Sequence, residues 1–347
     1  MTADPRMRAG SVLDAAVAAR AFPGAVAETG STGGMLWEYA TGHLTYEPEA
    51  PHATPRTTYD LASLTKVIAA TSLAMRLVRR GALSLDAPAS DWMPEWRTGP
   101  FARVRVQDLL EHASGLPAWL PLFQSHKGRE EYRRAIAALA PEYPPRTKSI
   151  YSDLGFIVLG QIIEATAGAT LDLLFDEFRM AAGLPDTLRY GVESTTNVAP
   201  TEFDPWRGRL CVGEVHDENA FALGGAAAHA GLFGMASDVG AFARLVLRTF
   251  REDTALGTPP LMQTFVRRSE VPESSRALGW DTMLPTSSCG AHMSPRAIGH
   301  TGFTGTSLWI DPARDRYFAL LTNRVHPTRD NEAIQAVRRA WHDAAAS

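Results

Sequence analysis

The pattern of apolar and polar positions divides the chain into three stretches. Near the N-terminus, residues 11–21 repeat at helical spacing, and PGAVAETG (23–30) and GMLWEYATG (34–42) read as two strands with Gly-rich turns between them. DLASLTKVIAATSLAMRLVRR (60–80) predicts a strong helix, with Asp60 as its N-cap and Gly81 as its C-cap. The middle stretch is mainly helical. VRVQDLLEHASGLP (104–117) reads as a helix closed by Gly115, and further helical patterns run through 129–140 and 153–182, on either side of the Pro-rich loop 141–148. Residues 81–100 and 185–220 carry no regular pattern. ASDVGAFARLVLRTF (236–250) reads as an amphipathic helix with Ser237 in a capping position. Residues 296–302, 305–312 and 316–323 then read as three consecutive strands, and 329–345 as a closing helix.

Strands at both ends with helix between them predict an α/β (α+β) fold. Its simplest form is one antiparallel sheet built from both chain termini and flanked by helices, plus an inserted mainly helical lobe. The implied domains are 1–80 with 225–347, and a helical domain over 81–224. A length of 347 residues suits two lobes. The cleft between such lobes is the usual place for a small-molecule site.

Composition changes this picture little. Hydrophobic residues make up 45% and charged residues 21%, as in an ordinary globular protein. A net charge of -4 points to no nucleic-acid or anionic-membrane partner. No stretch approaches the ~20 apolar residues of a membrane span, and the first twenty positions lack the apolar run of a signal peptide. A cytoplasmic protein is therefore expected from the sequence as given, or a periplasmic one if a leader has been removed. It is expected to be a monomer or small homo-oligomer. Cys211 and Cys289 lack the spacing of a thiolate metal site, so no metal is expected; two buried free thiols is the plainer reading, with one disulfide as the alternative. Lysine occurs only at Lys66, Lys127 and Lys148 among 34 basic residues. A lysine kept in so arginine-rich a background suggests a use for its titration.

Three short patterns carry chemistry. Ser63-Leu64-Thr65-Lys66 places a hydroxyl and an amine three residues apart, on one helix face. Near a helix N-terminus, a partly buried lysine of depressed pKa could accept the serine proton. By itself S-x-x-K is weak, and an ordinary surface Ser and Lys would give it too. Tyr151-Ser152-Asp153 opens the helix DLGFIVLGQIIEATAG, and a Tyr151 phenol beside a cation could act as base or shuttle. A capping Ser-Asp pair with an interfacial Tyr would look the same. In His300-Thr301-Gly302, the glycine would let substrate approach the strand, and the Phe303 and Ser63 N–H groups could form an oxyanion hole. His300 could bind a carboxylate or relay protons. His216, Asp217, Glu218 and Asn219 read as a loop bordering the cleft in which His216 or Asn219 touches substrate, or equally as a structural loop.

In that order, S-x-x-K, Tyr-x-[Asn] and [Lys/His]-Thr-Gly resemble the motifs of class C β-lactamases, penicillin-binding proteins and family VIII esterases. LLEHASGLP (109–117) and HAGLFGMASDVGAFARL (229–245) are similar to further segments of that group, and VHDENAFALGG (215–225) resembles the subgroup named for D-alanyl-D-alanine carboxypeptidases. The resemblance implies a serine acyl hydrolase without cofactor. Ser63 would attack a carbonyl, Lys66 and Tyr151 would handle its proton, and water would release the acyl-enzyme. His300 would complete the catalytic set, with Asp153, Thr301, Gly302, Phe303, His216 and Asn219 on the substrate. An ester or a D-amino-acid amide or peptide is the expected substrate, with D,D-carboxypeptidase or weak β-lactamase activity as alternatives. A non-catalytic acyl-binding sensor is the alternative of another class.

Two departures from the pattern matter. Asp153 stands where the lactamases carry Asn; it cannot donate an amide hydrogen bond but can pair with Lys66 and raise its pKa. His300 stands where they carry Lys, so a fixed charge becomes conditional. Both argue against an efficient β-lactamase.

Overall fold

The computed structural model describes residues 4–347. An antiparallel sheet of six strands forms its centre, in the order Gly34–Gly42, Gly24–Ser31, Arg316–Thr322, Ser307–Asp311, Ile298–Thr301, Asp281–Thr282. The N-terminal hairpin joins the C-terminal strands through Gly24–Ser31 and Arg316–Thr322, with Val26 opposite Leu321.

Both faces of this sheet are covered, and alternation along the strands divides the residues between them. Ala25, Ala27 and Leu320 pack with Leu13, Trp309 and Trp341 under helices Pro5–Ala18 and Ile334–Ala346. Val26, Ile310 and Leu321 face the other way, onto Val239, Phe242 and Val246 of helix Ala236–Thr249. These three helical residues sit at i, i+3 and i+7 on one stripe. The same core continues into the mainly helical region, through Leu154, Val158 and Ile162 of helix Asp153–Ala167.

Several boundaries differ from the pattern. Asp60 is no helix cap: it lies in the short strand Tyr59–Asp60, and its carboxylate accepts from the N–H groups of Ala62 at 2.8 Å and His216 at 2.6 Å. The helix starts after Ser63, passes through a π-helical turn at Lys66–Thr71 and ends as Ser72–Arg79. The 104–117 helix is only Val106–Leu110, because His112 takes a left-handed φ of 55° before Gly115 is reached. The 153–182 helix is two helices bent by 72°. Gly168, at φ 73°, ends the first, and the second runs Leu171–Ala182. For helix Ala236–Thr249 the cap is made by Asp238, which accepts from Met235 N–H at 2.9 Å, and not by Ser237. No single helix among the described residues is long and apolar enough to cross a membrane. Cys211 and Cys289 are both free and buried, and burial pushes each thiol up to about 12.

Candidate active site

A tight turn presents Ser63. Ala62 adopts φ 48°, a left-handed conformation that costs a residue with a Cβ about 1–2 kcal/mol. The surroundings hold it there: Thr304 Oγ1 donates to the Asp60 carbonyl at 2.8 Å and Thr306 Oγ1 to the Leu61 carbonyl at 3.0 Å. The serine turn and the turn after strand Ile298–Thr301 are thus bolted together. Gly302 is required at that junction. A Cβ there would collide with Thr306 Oγ1 and the Leu61 carbonyl, so its missing side chain serves the packing of the serine turn.

Lys66 is fully buried beneath Ser63. Its Nζ donates to Ser63 Oγ at 3.0 Å and the His229 carbonyl at 3.0 Å, and pairs with Asp153 Oδ1 at 2.6 Å. Two hydrogen-bond acceptors and one counter-ion thus surround the ammonium. Burial alone would depress the lysine pKa. The Asp153 carboxylate and then Tyr151 outweigh it, so Lys66 lies above its ordinary value. The expected partly buried lysine of depressed pKa is replaced by a wholly buried, paired ammonium.

Tyr151 closes the triangle, its Oη 2.8 Å from Ser63 Oγ and its ring 4.8 Å from Lys66 Nζ. Burial raises its pKa, and Lys66 only partly offsets that. The segment is fixed from both sides. His112 Nδ1 accepts from Ser152 N–H and the His112 carbonyl from Ile150 N–H, each at 3.0 Å. Ser152 caps the helix that follows, accepting from Gly155 N–H at 3.1 Å.

His300 is buried, with Nδ1 2.8 Å from the Thr301 carbonyl. A carbonyl only accepts, so Nδ1 carries the proton and Nε2 presents a lone pair. Burial, then Lys66 and Arg276, hold His300 well below the ordinary histidine value. It is therefore neutral at pH 7 and offers a substrate carboxylate no fixed charge. The cation on this side is Arg276, whose guanidinium lies 5.2 Å from the Tyr151 ring centre.

A cavity of about 670 Å³ opens over these groups. Ser63, Tyr151, Asp153, His216, His300, Thr301, Gly302 and Phe303 all line it. His216 stacks on Phe303 at 5.7 Å and shares a 2.8 Å contact with Glu202, so it forms part of the wall. Asn219 does not reach the cavity. It is wholly buried, its Oδ1 accepting from Phe123 N–H at 3.0 Å and Tyr132 Oη at 2.9 Å, its Nδ2 donating to the Leu120 carbonyl at 2.9 Å. It ties the short helix Glu218–Ala222 to the 120–123 segment and to helix Gly128–Ala137, and is not a substrate contact. Sequence reasoning missed Arg276, the His229 carbonyl, and the cavity residues Trp119, Arg324 and Arg338. Among 31 arginines none of the three stood out. No cluster of metal-binding type occurs among the described residues.

A cavity-lining serine over a buried Lys–Tyr pair, beside an antiparallel sheet and its covering helices, defines a serine hydrolase. The chain belongs to the beta-lactamase family, whose model matches residues 10–340. It is 32% identical to an N-acetylmuramyl-L-alanine amidase of Bacillus subtilis (strain 168), over 90% of this chain and 80% of that protein. It is also 32% identical to an Escherichia coli (strain K12) protein provisionally named a D-alanyl-D-alanine carboxypeptidase, over 79% of this chain and 70% of the other. Its fold matches EstCE1, described as a hydrolase with promiscuous acyltransferase activity, with a TM-score of 0.78 at 20% identity over 99% and 98% of the two chains. It also matches a penicillin-binding protein homologue from Caulobacter crescentus, with a TM-score of 0.76 at 19% identity over 98% of each.

Proposed function

We propose that this serine acyl hydrolase acts on amides of the D-alanyl or muramyl-peptide type through an acyl-enzyme on Ser63. The observation that carries this reading is the Ser63–Lys66–Tyr151 triangle on the cavity floor, with the Arg276 guanidinium beside it. The triangle supplies the nucleophile and its proton store. Arg276 supplies a permanent charge for the free carboxylate of a peptide. The amidase and carboxypeptidase names of the two relatives favour amides over simple esters.

Lys66 and Tyr151 work as one titrating unit. At rest the ammonium is paired with Asp153 and the phenol is neutral, so neither is a base. The competent form has lost one proton from the pair. Ser63 Oγ then bonds to the acyl carbon while its proton passes to the pair, and the carbonyl π electrons move onto oxygen. Collapse of that adduct breaks the bond to the leaving amine, which takes the proton back. Water repeats the sequence on the acyl-enzyme. The Ser63 and Phe303 N–H groups receive the oxyanion.

The test is a substrate panel: a muramyl-L-alanine amide, a D-alanyl-D-alanine peptide and a neutral p-nitrophenyl ester, each with wild type and Arg276→Gln. Hydrolysis of a carboxylate-bearing amide should fall about 10–100-fold in kcat/KM in the variant, the worth of one charge-assisted contact, with much less change on the ester. Turnover of the ester alone would move the assignment to an esterase.

A further inference from the structure

Arg338 stands on the closing helix Ile334–Ala346 and lines the cavity, yet it is only 8% exposed. Its Nη2 donates to the Gly302 carbonyl and, at 2.8 Å, to the Thr306 carbonyl. Among the described residues no carboxylate forms an ion pair with it, and its buried Nε has no hydrogen-bond partner. Burial and the neighbouring Arg324 press its pKa downward, but a guanidinium keeps its proton at neutral pH. A buried, uncompensated positive charge is expensive in a folded protein. Its position is therefore informative.

The Gly302 carbonyl belongs to the same amide as the Phe303 N–H. In a trans peptide these two groups point in opposite directions. A cation on the oxygen side draws electron density toward oxygen and makes the N–H a stronger donor, as hydrogen bonds in series do in a low-dielectric interior. It also fixes the plane of the amide. Arg324 holds the next carbonyl, with Nε 2.8 Å from Phe303 O.

We propose that Arg338 is a positioning residue of the oxyanion hole: its charge orients and polarises the Gly302–Phe303 amide toward the oxygen of the substrate carbonyl. The cation supports the transition state from behind the peptide, without touching substrate. This rests on the reading of Ser63 as nucleophile and of the Phe303 N–H as oxyanion donor.

The test compares wild type, Arg338→Lys and Arg338→Met on p-nitrophenyl acetate, with phenylboronic acid as the tetrahedral mimic and each preparation titrated for active sites. Removal of a direct oxyanion donor lowers kcat about 10²–10³-fold. Loss of the charge behind one should lower kcat about 10–100-fold, leave KM nearly unchanged and weaken boronate binding by a similar factor; Arg338→Lys should recover part of both. Should Arg338→Met not fold, Arg338→Gln, which keeps a donor without the charge, carries the same comparison. A wild-type kcat and boronate affinity in the uncharged variant would overturn the proposal, as would equal losses in KM and kcat with boronate binding intact. Ser63→Ala separates the two layers. If it still hydrolyses the ester, the underlying reading falls. If it is silent while the uncharged Arg338 variant behaves as wild type, only Arg338 falls.

Discussion

The two sides of the cleft handle charge in opposite ways. On the side where protons move, Lys66 is neutralised by Asp153 at 2.6 Å. On the side assigned to the oxyanion, Arg338 meets only carbonyl oxygens. The first arrangement holds its proton tightly, because the adjacent carboxylate raises the lysine pKa and keeps the resting pair near zero net charge. The second leaves positive potential unanswered in the resting protein, where the reaction creates negative charge. A neutral proton store and an uncompensated cation, on opposite sides of one site, divide the labour of acyl transfer.

The largest effect that bears on this division is loss of the nucleophile. Ser63→Ala should lower turnover of any substrate by about 10⁴-fold or more, measured as kcat at saturation, because binding and the oxyanion groups alone give little chemistry. A smaller and more discriminating effect comes from Asp153→Asn. The carboxylate holds up the pKa of Lys66 and also raises that of Tyr151. Its removal should move the rising alkaline limb of kcat/KM to lower pH, and an unmoved limb would break the account of the proton side. Acid stability follows. His112 and His300 are held well below the ordinary histidine value of 6.5. The unfolded chain therefore binds more protons below that pH, and stability falls as pH drops through it, by about 1.4 kcal/mol per unit for each histidine. Denaturant midpoints at pH 7 and pH 5.5 measure this. Asn219→Ala should have the mildest consequence for chemistry. It removes three buried hydrogen bonds, so about 1–3 kcal/mol of stability should be lost while kcat/KM per folded molecule stays within about twofold.

Much of this site was legible because its chemistry is local in sequence. Ser63 with Lys66, and Tyr151 with the helix that Ser152 caps, announce themselves within a few residues. The sheet was legible for a related reason: Gly34–Gly42 and the C-terminal strands keep their apolar pattern and turns. What escaped is held by distant partners. Asp60 looks like a helix cap until His216 N–H claims its carboxylate. Asn219 looks like a cleft residue until Phe123 and Tyr132 claim its side chain. The pKa of Lys66 depended on a residue 87 positions away, and the two readings of that lysine were open until Asp153 was placed against it. Arg276 and Arg338 carry no local signal at all, since only the fold distinguishes them from the other arginines.

The most direct measurement is the intact mass of the protein after reaction with an aryl fluorophosphonate, followed by peptide mapping, in wild type and Ser63→Ala. The account predicts one adduct, on Ser63, absent from the variant. An adduct that persists in Ser63→Ala, or that maps to another residue, would contradict it.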